Sequence, residues 1–158
     1  MRGVLLIVAI ALAGCASDGS TSGGGGALCD SARALVRAPL EKGAGRTINF
    51  QPTVGDKPGS PALAAAIAIP NDEPARTFSD SVRRASQGMD GLKFVEGLGR
   101  CFDVRHGFQT TSALSEEGRY SNTFLETQLQ RTVAVRGDKN GGAIAVFQRL
   151  DAPPAPAN

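Results

Sequence analysis

Val4 to Ala13 is an unbroken apolar run behind the short positive start Met1-Arg2-Gly3. A helix that crosses a bilayer needs about 20 such residues, so this run is too short to span as a mature segment. Its length fits the apolar core of a signal peptide, which is removed before folding. Residues 1–14 are therefore set apart from the fold. Ala16 to Gly26 follows, rich in Ser and Gly, free of large apolar residues, and closed by Gly23-Gly24-Gly25-Gly26. It reads as part of a flexible tether over 15–26, with an r.m.s. reach of roughly 20 Å. The run lacks the Gly-Lys-Ser/Thr ending of a phosphate loop. Of the 158 residues, 27–151 remain for a single globular domain. The Pro/Ala-rich stretch 152–158 reads as a disordered tail.

The apolar run ends in Leu12-Ala13-Gly14-Cys15. This resembles the lipobox of bacterial lipoproteins at all four positions. Small residues before the cut let a peptidase seat the backbone, and the Cys15 thiol takes the lipid. The resemblance implies a mature chain that begins at Cys15 and carries three acyl chains, palmitate among them. At roughly 0.8 kcal/mol per buried CH₂, several chains anchor far more firmly than one. In the same family Asp directly after the Cys favours the inner membrane. Here Ala16 and Ser17 follow, so the resemblance implies an outer-membrane lipoprotein facing the periplasm.

Without Arg2 the chain carries 16 basic against 15 acidic side chains. That near-balance argues against a nucleic-acid partner, which calls for a basic patch or stripe. Aromatic residues make up 5%, with no Trp and one Tyr, so stacking platforms for bases are few. The single His excludes His-rich zinc sites and the H-E-x-x-H arrangement.

With Cys15 assigned to lipid, Cys29 and Cys101 remain as an even pair in an exported chain, where a disulfide is the default. For the 72 residues between them, chain entropy gives an upper figure of roughly 4.4 kcal/mol. A competing reading makes Cys101 a catalytic thiol, with His106 five residues on. Such dyads are normally assembled from distant segments, and a free exported thiol tends to oxidise.

Along the domain, Cys29 to Ala38 predicts a helix capped by Asp30 and stopped by Pro39, with Leu28, Ala32, Leu35 and Val36 on one side. Arg46 to Val54 alternates as a strand, Ile48 and Phe50 facing one way and Pro52 marking an edge. Ser60 to Pro70 is ambiguous: its Ala content and Ser-Pro start favour a helix, yet Leu63, Ala65, Ile67 and Ile69 alternate. The balance tips slightly to helix. Phe78, Val82, Ala85, Met89 and Leu92 step at helical spacing, so one helix starting near Thr77 is expected. Gly99 to Arg105 reads as a short strand with Phe102 and Val104 inward, and Thr110 to Glu117 as helical turns ended by Gly118. Leu125, Thr127, Leu129, Val133 and Val135 suggest one face of a long strand, with Glu126, Gln128, Gln130 and Thr132 on the other. Arg131 would interrupt the inner face at a bulge. A turn at Gly137–Gly142 leads to a return strand with Ile144 and Val146 on one face and Phe147 on the other. The sum is an α+β fold: a single small domain with two or three short helices packed on a mainly antiparallel sheet that ends in a C-terminal β-hairpin.

No catalytic, cofactor or metal constellation stands out. Asp138 and Asn140 before Gly141 lack the further ligand and the distant Glu of a calcium loop. Glu116-Glu117 read as solvated surface, His106 as a loop residue, and Ser60, Ser79 and Ser112 have no nucleophile context. One stretch of the mature chain has a counterpart. Gly99-Arg100-Cys101-Phe102-Asp103-Val104-Arg105, between an amphipathic helix and Leu114-Ser115-Glu116-Glu117, is similar to a segment of the curli-secretion-channel and penicillin-binding-protein-activator lipoproteins. Cys101 is inserted relative to that pattern, and the acidic residue before the Arg is absent. The resemblance implies a β-α-β-α-β-β order. The expected function is a membrane-anchored, non-catalytic lipoprotein that binds or scaffolds an envelope protein. The alternatives are an assembly or activator lipoprotein and an inhibitor of a periplasmic enzyme.

Overall fold

A computed structural model describes residues 25–41 and 43–150. Cys15, the signal and most of the tether lie outside the described residues, as does the 151–158 tail. Helix α1 (Gly25–Arg37) takes in the last two glycines of the expected tether. It is followed by β1 (Gly45–Val54), β2 (Pro61–Ile69), α2 (Glu73–Ala85), α3 (Gly91–Gly99), a 3-10 turn at Val104–His106, and β3 (Phe108–Glu116), β4 (Arg119–Glu126), β5 (Arg131–Asp138) and β6 (Gly141–Gln148). All six strands form one antiparallel sheet in the order β2-β1-β6-β5-β4-β3. The three helices pack on one face of it. This is the expected α+β domain with a C-terminal hairpin, but its element order is not the β-α-β-α-β-β order that the curli-channel resemblance implied.

Helix α1 buries Leu28, Ala32, Leu35 and Val36, the stripe read from spacing. Facing it, the sheet contributes Ile48, Phe50, Phe124, Val133, Val135, Ile144 and Val146, all nearly or fully buried. Two aromatic groups organise this layer. Phe50 meets Phe78 and Phe94 edge-on at centroid distances of 6.1 and 5.3 Å. Phe102 sits 5.0 Å from Phe108 and 5.3 Å from Phe124. Such pairs add about 0.5–1.5 kcal/mol beyond area burial. Close approach at one end depends on glycine: a Cβ on Gly142 would stand 2.5 Å from Val95 Cγ1 of α3.

Several expectations are corrected. Within Ser60–Pro70, Pro61–Ile69 is strand β2, because hairpin pairing with β1 overrides the propensity of its alanines. The register skips between Asn49 and Phe50, which leaves Ala66 unpaired and reverses the alternation. Leu63 is buried while Ile69 points outward, 63% exposed. The single helix around Phe78–Leu92 is two. Ser86 is fully buried and its hydroxyl bonds both Leu63 N and Leu63 O, so the chain turns off toward β2. Gly88 then adopts φ +73°, and Asp90 restarts the helix by accepting from Lys93 N. Asp72, not Thr77, caps α2. Asp103 caps the 3-10 turn where a strand was expected, and Val104 is 76% exposed rather than inward. Thr110–Glu116 belongs to β3, an edge strand exposed along nearly all its length, so no burial pattern marks its sequence, and Glu117 is in the turn that follows. Gly118 closes a hairpin turn instead of a helix.

The long strand expected around Leu125–Val135 is broken at 127–130. Glu126 is fully buried, and its carboxylate accepts from Leu129 N at 2.6 Å and from Arg37 Nε at 3.3 Å. Gln130 takes φ +54°. The break inverts the expected faces: Glu126 is in and Leu125 is turned outward. Arg131 is no bulge. It opens β5, and its Nη1 donates to Val36 O and Ala38 O (2.5 and 2.6 Å), the free carbonyls at the end of α1. Burial pulls its pKa below the ordinary arginine value, with Glu126 opposing. Arg46, 1% exposed, donates to Leu35 O at 2.9 Å and pairs with Asp72.

Asp72 and Asp90 are both N-caps, but only Asp72 neutralises a buried guanidinium. Asp90→Ala should cost about 1 kcal/mol. Asp72→Ala should cost about 3 kcal/mol or more, since it also strands Arg46. Urea unfolding of the two variants measures the difference.

Candidate interaction surfaces

The sheet face opposite the helices is uncovered by any described residue. Its rows follow from the strand register. One row runs Ile69, Thr47, Ala145, Ala134, Thr123, Ser112. The next runs Gly45, Phe147, Thr132, Leu125, Gln109. A third carries Asn49, Ala143, Arg136, Ser121 and Leu114. Across these rows Arg136 is the one charged side chain. Solvated faces of antiparallel sheets normally alternate polar residues outward, so three rows this poor in charge are unusual.

Phe147 is the informative residue. The chain has seven Phe. Phe50, Phe78, Phe94, Phe102, Phe108 and Phe124 lie in the core, whereas Phe147 is 49% exposed on the open face. Ile69 and Leu114 are exposed on the same face, at 63% and 53%, toward its two edges. The outward position of Phe147 was legible from alternation. Those of Ile69 and Leu125 were not, because one depends on the Ala66 bulge and the other on the break after Glu126.

Charges gather at one corner of the face, where two shallow grooves flank the end of β5. One, of about 380 Å³, lies among Asn49, Arg136, Asp138, Asn140 and Ala143. The other, of about 300 Å³, lies among Leu114, Glu116, Arg119, Tyr120, Arg136 and Asp138. Asp138 is committed to its turn, where Oδ1 accepts from Asn140 N at 2.7 Å. Among the described residues no group of three or more His, Cys, Asp or Glu side chains is placed to hold a metal ion.

A second surface runs beside α1. Cys29 and Cys101 are joined in a disulfide, with Cα atoms 4.9 Å apart. The Cys101 sulfur is therefore not a thiol, and the Cys101–His106 dyad does not exist. The bridge ties the segment after α3 to α1, and two arginines of α1 extend the seam: Arg33 donates to Cys101 O at 3.0 Å and Arg37 to His106 O at 2.5 Å. His106 Nδ1 lies 2.8 Å from Asp103 Oδ1, and Arg105 Nη2 lies 3.2 Å from Asp103 Oδ2. Val104 and Arg105 project from the tip of this loop. Among the described residues no helix is long and apolar enough to cross a membrane.

Comparison with protein-family models, with curated proteins and with solved structures found no match. Function is therefore argued from these two surfaces.

The hydrogen bond from His106, aided by Arg105, holds the Asp103 carboxyl at about 2, below its usual 3.8. A depressed carboxylate stabilises the fold above its ordinary pKa and loses that contribution as the pH falls toward the folded value. The Asp103 contacts should thus be intact above about pH 4 and dissolve on acidification toward pH 2. Carbon-detected NMR titration should place Asp103 near 2, and His106→Gln should move it up toward 3.8.

Proposed function

We propose that this chain is a lipid-anchored lipoprotein of the bacterial envelope, held through Cys15, whose sheet presents a non-catalytic surface that binds or scaffolds an envelope protein in the periplasm. The lipobox resemblance at Leu12–Cys15 supports the anchor. The Cys29–Cys101 disulfide is consistent with an oxidising compartment.

The observation that carries the binding role is the open sheet face, with Phe147, Ile69 and Leu125 set among Ala and Thr. Small residues keep the centre flat, Phe147 gives an aromatic anchor of the kind that dominates interface energetics, and Ile69 and Leu125 add apolar contact area. Six strands about 4.8 Å apart and about eight residues long give roughly 700 Å². That approaches the ~800 Å² per partner of a standard stable interface. The partner is a folded protein presenting an apolar patch, with polar groups opposite Arg119, Arg136 and Glu116 at the charged corner.

Two experiments test this reading. Cys15→Ser should abolish acylation, read by mass, and release the protein from membranes; retention with unchanged mass overturns the anchor. In crosslinked membranes, a tagged chain should recover one envelope protein stoichiometrically. Phe147→Arg and Ala145→Arg should cut that recovery about tenfold or more while leaving unfolding free energy within about 0.5 kcal/mol, as surface changes do. Unchanged recovery removes the open face as the binding surface, and robust hydrolytic turnover by the purified protein overturns the non-catalytic reading.

A further inference from the structure

We infer that the disulfide-held loop Arg100–His106 is a bilayer-contacting surface that sets how the domain sits on the membrane; this rests on the anchor reading of Cys15. Three observations carry it. The first is position. Nine residues separate Cys15 from Gly25, where α1 begins, and a Ser/Gly-rich stretch of that length has an r.m.s. reach of roughly 17 Å. Cys29 is one turn into α1, and its bridge to Cys101 places the loop beside the end of the tether, with Cα atoms 4.9 Å apart. Any lipid on Cys15 thus confines this loop, more than any part of the sheet's far face, to the headgroup region.

The second is composition. Val104 is 76% exposed, second only to Val54 among the described large apolar side chains. Arg105 follows it, with 84% of its side chain exposed, and Arg100, also exposed, begins the same loop. An apolar tip on a loop that carries two exposed arginines suits the interface: the tip enters the headgroup layer while Arg100, and the donors Arg105 keeps beyond its bond to Asp103, reach lipid phosphates. The acids nearby are largely engaged. Asp103 binds Arg105 and His106, and Asp30 pairs with Arg33 at 2.7 Å. Glu96 lies one turn before Arg100 on α3 and tempers the charge, so the contact combines apolar insertion with phosphate binding and is not a broad basic patch.

The third is rigidity. The tip projects from a segment fixed by the disulfide, by Arg33 to Cys101 O and by Arg37 to His106 O. A tip held this way transmits orientation to the whole domain, which a loose loop would not. Because α1 and this loop lie on the helix side, contact here turns the open sheet face away from the bilayer.

The test uses the lipidated full chain in vesicles of phosphatidylethanolamine and phosphatidylglycerol. Benzoylphenylalanine replaces Val104 in one protein and Phe147 in another, and photolysis products are weighed by mass spectrometry. Lipid adducts from position 104 should exceed those from position 147 at least fivefold. Arg100→Glu with Arg105→Glu should lower the position-104 yield about fivefold or more, the expected effect of losing an Arg near an anionic surface. Equal yields at 104 and 147 in acylated protein overturn this inference and leave the anchor standing. Absence of acyl mass on Cys15 overturns the anchor reading and this inference with it. Position-104 yield that ignores the charge reversal overturns the phosphate-binding part. Unchanged melting of each protein shows that the loop remains folded.

Discussion

Arg46 joins three elements. It sits on β1, bonds the carbonyl of Leu35 near the end of α1, and pairs with Asp72, which caps the first turn of α2. A helix end leaves carbonyls without partners and carries partial negative charge, while a helix start leaves free N–H groups. One guanidinium and one carboxylate meet both needs, and the pair fixes the two helices against the sheet. Arg131 repeats the first half of this device from β5, binding Val36 O and Ala38 O. Burying a charge is costly unless it is paired and hydrogen-bonded. Moving α1 would break these bonds and strip partners from two buried guanidiniums, a cost that apolar side chains at the same positions would not incur.

That device explains much of what could and could not be read from the chain. The stripe Leu28, Ala32, Leu35, Val36 and the hairpin from Arg131 to Gln148 were legible because each buries one clean face, which leaves a periodic trace. Arg46 and Arg131 left none: a buried arginine interrupts an apolar pattern and looks like a surface residue or a bulge. Glu126 misled in the same way, since its burial depends on Leu129 N and Arg37, partners that no local pattern announces. Strand β3 failed for the opposite reason. Exposed on both faces, it has no alternation to show, and its structure comes from its ladder with β4. The alanines of β2 and the break at Ser86–Gly88 are cases where tertiary pairing overrides helix propensity.

The candidate surfaces divide along similar lines. Cys29 and Cys101 could be paired by arithmetic, since an exported chain with two remaining thiols has one natural bridge. The register of the open face could not be. It required knowing that β2 carries a bulge at Ala66 and that the chain reverses after Glu126. Without the bulge, Ile69 would point into the core beside Leu63. Without the reversal, Leu125 would do so beside Val133. Two local irregularities thus move two large apolar side chains onto the solvent side, next to Phe147.

The two surfaces also constrain each other through the topology. The β2–α2–α3–β3 connection runs from one sheet edge to the other and lays the helices across a single face. Helix α1 joins that layer through its contacts with α2, so the start of the described chain and the disulfide both lie on the covered side. An anchor attached there draws the helix layer toward the membrane. The sheet lies between that layer and the opposite side, with its charge-poor face pointing outward. A domain built in the reverse sense, with its N-terminal helix on the open face, would bury Phe147 against its own anchor. Under the proposed reading the order of the strands separates attachment from recognition, with the six-stranded sheet as the partition between them.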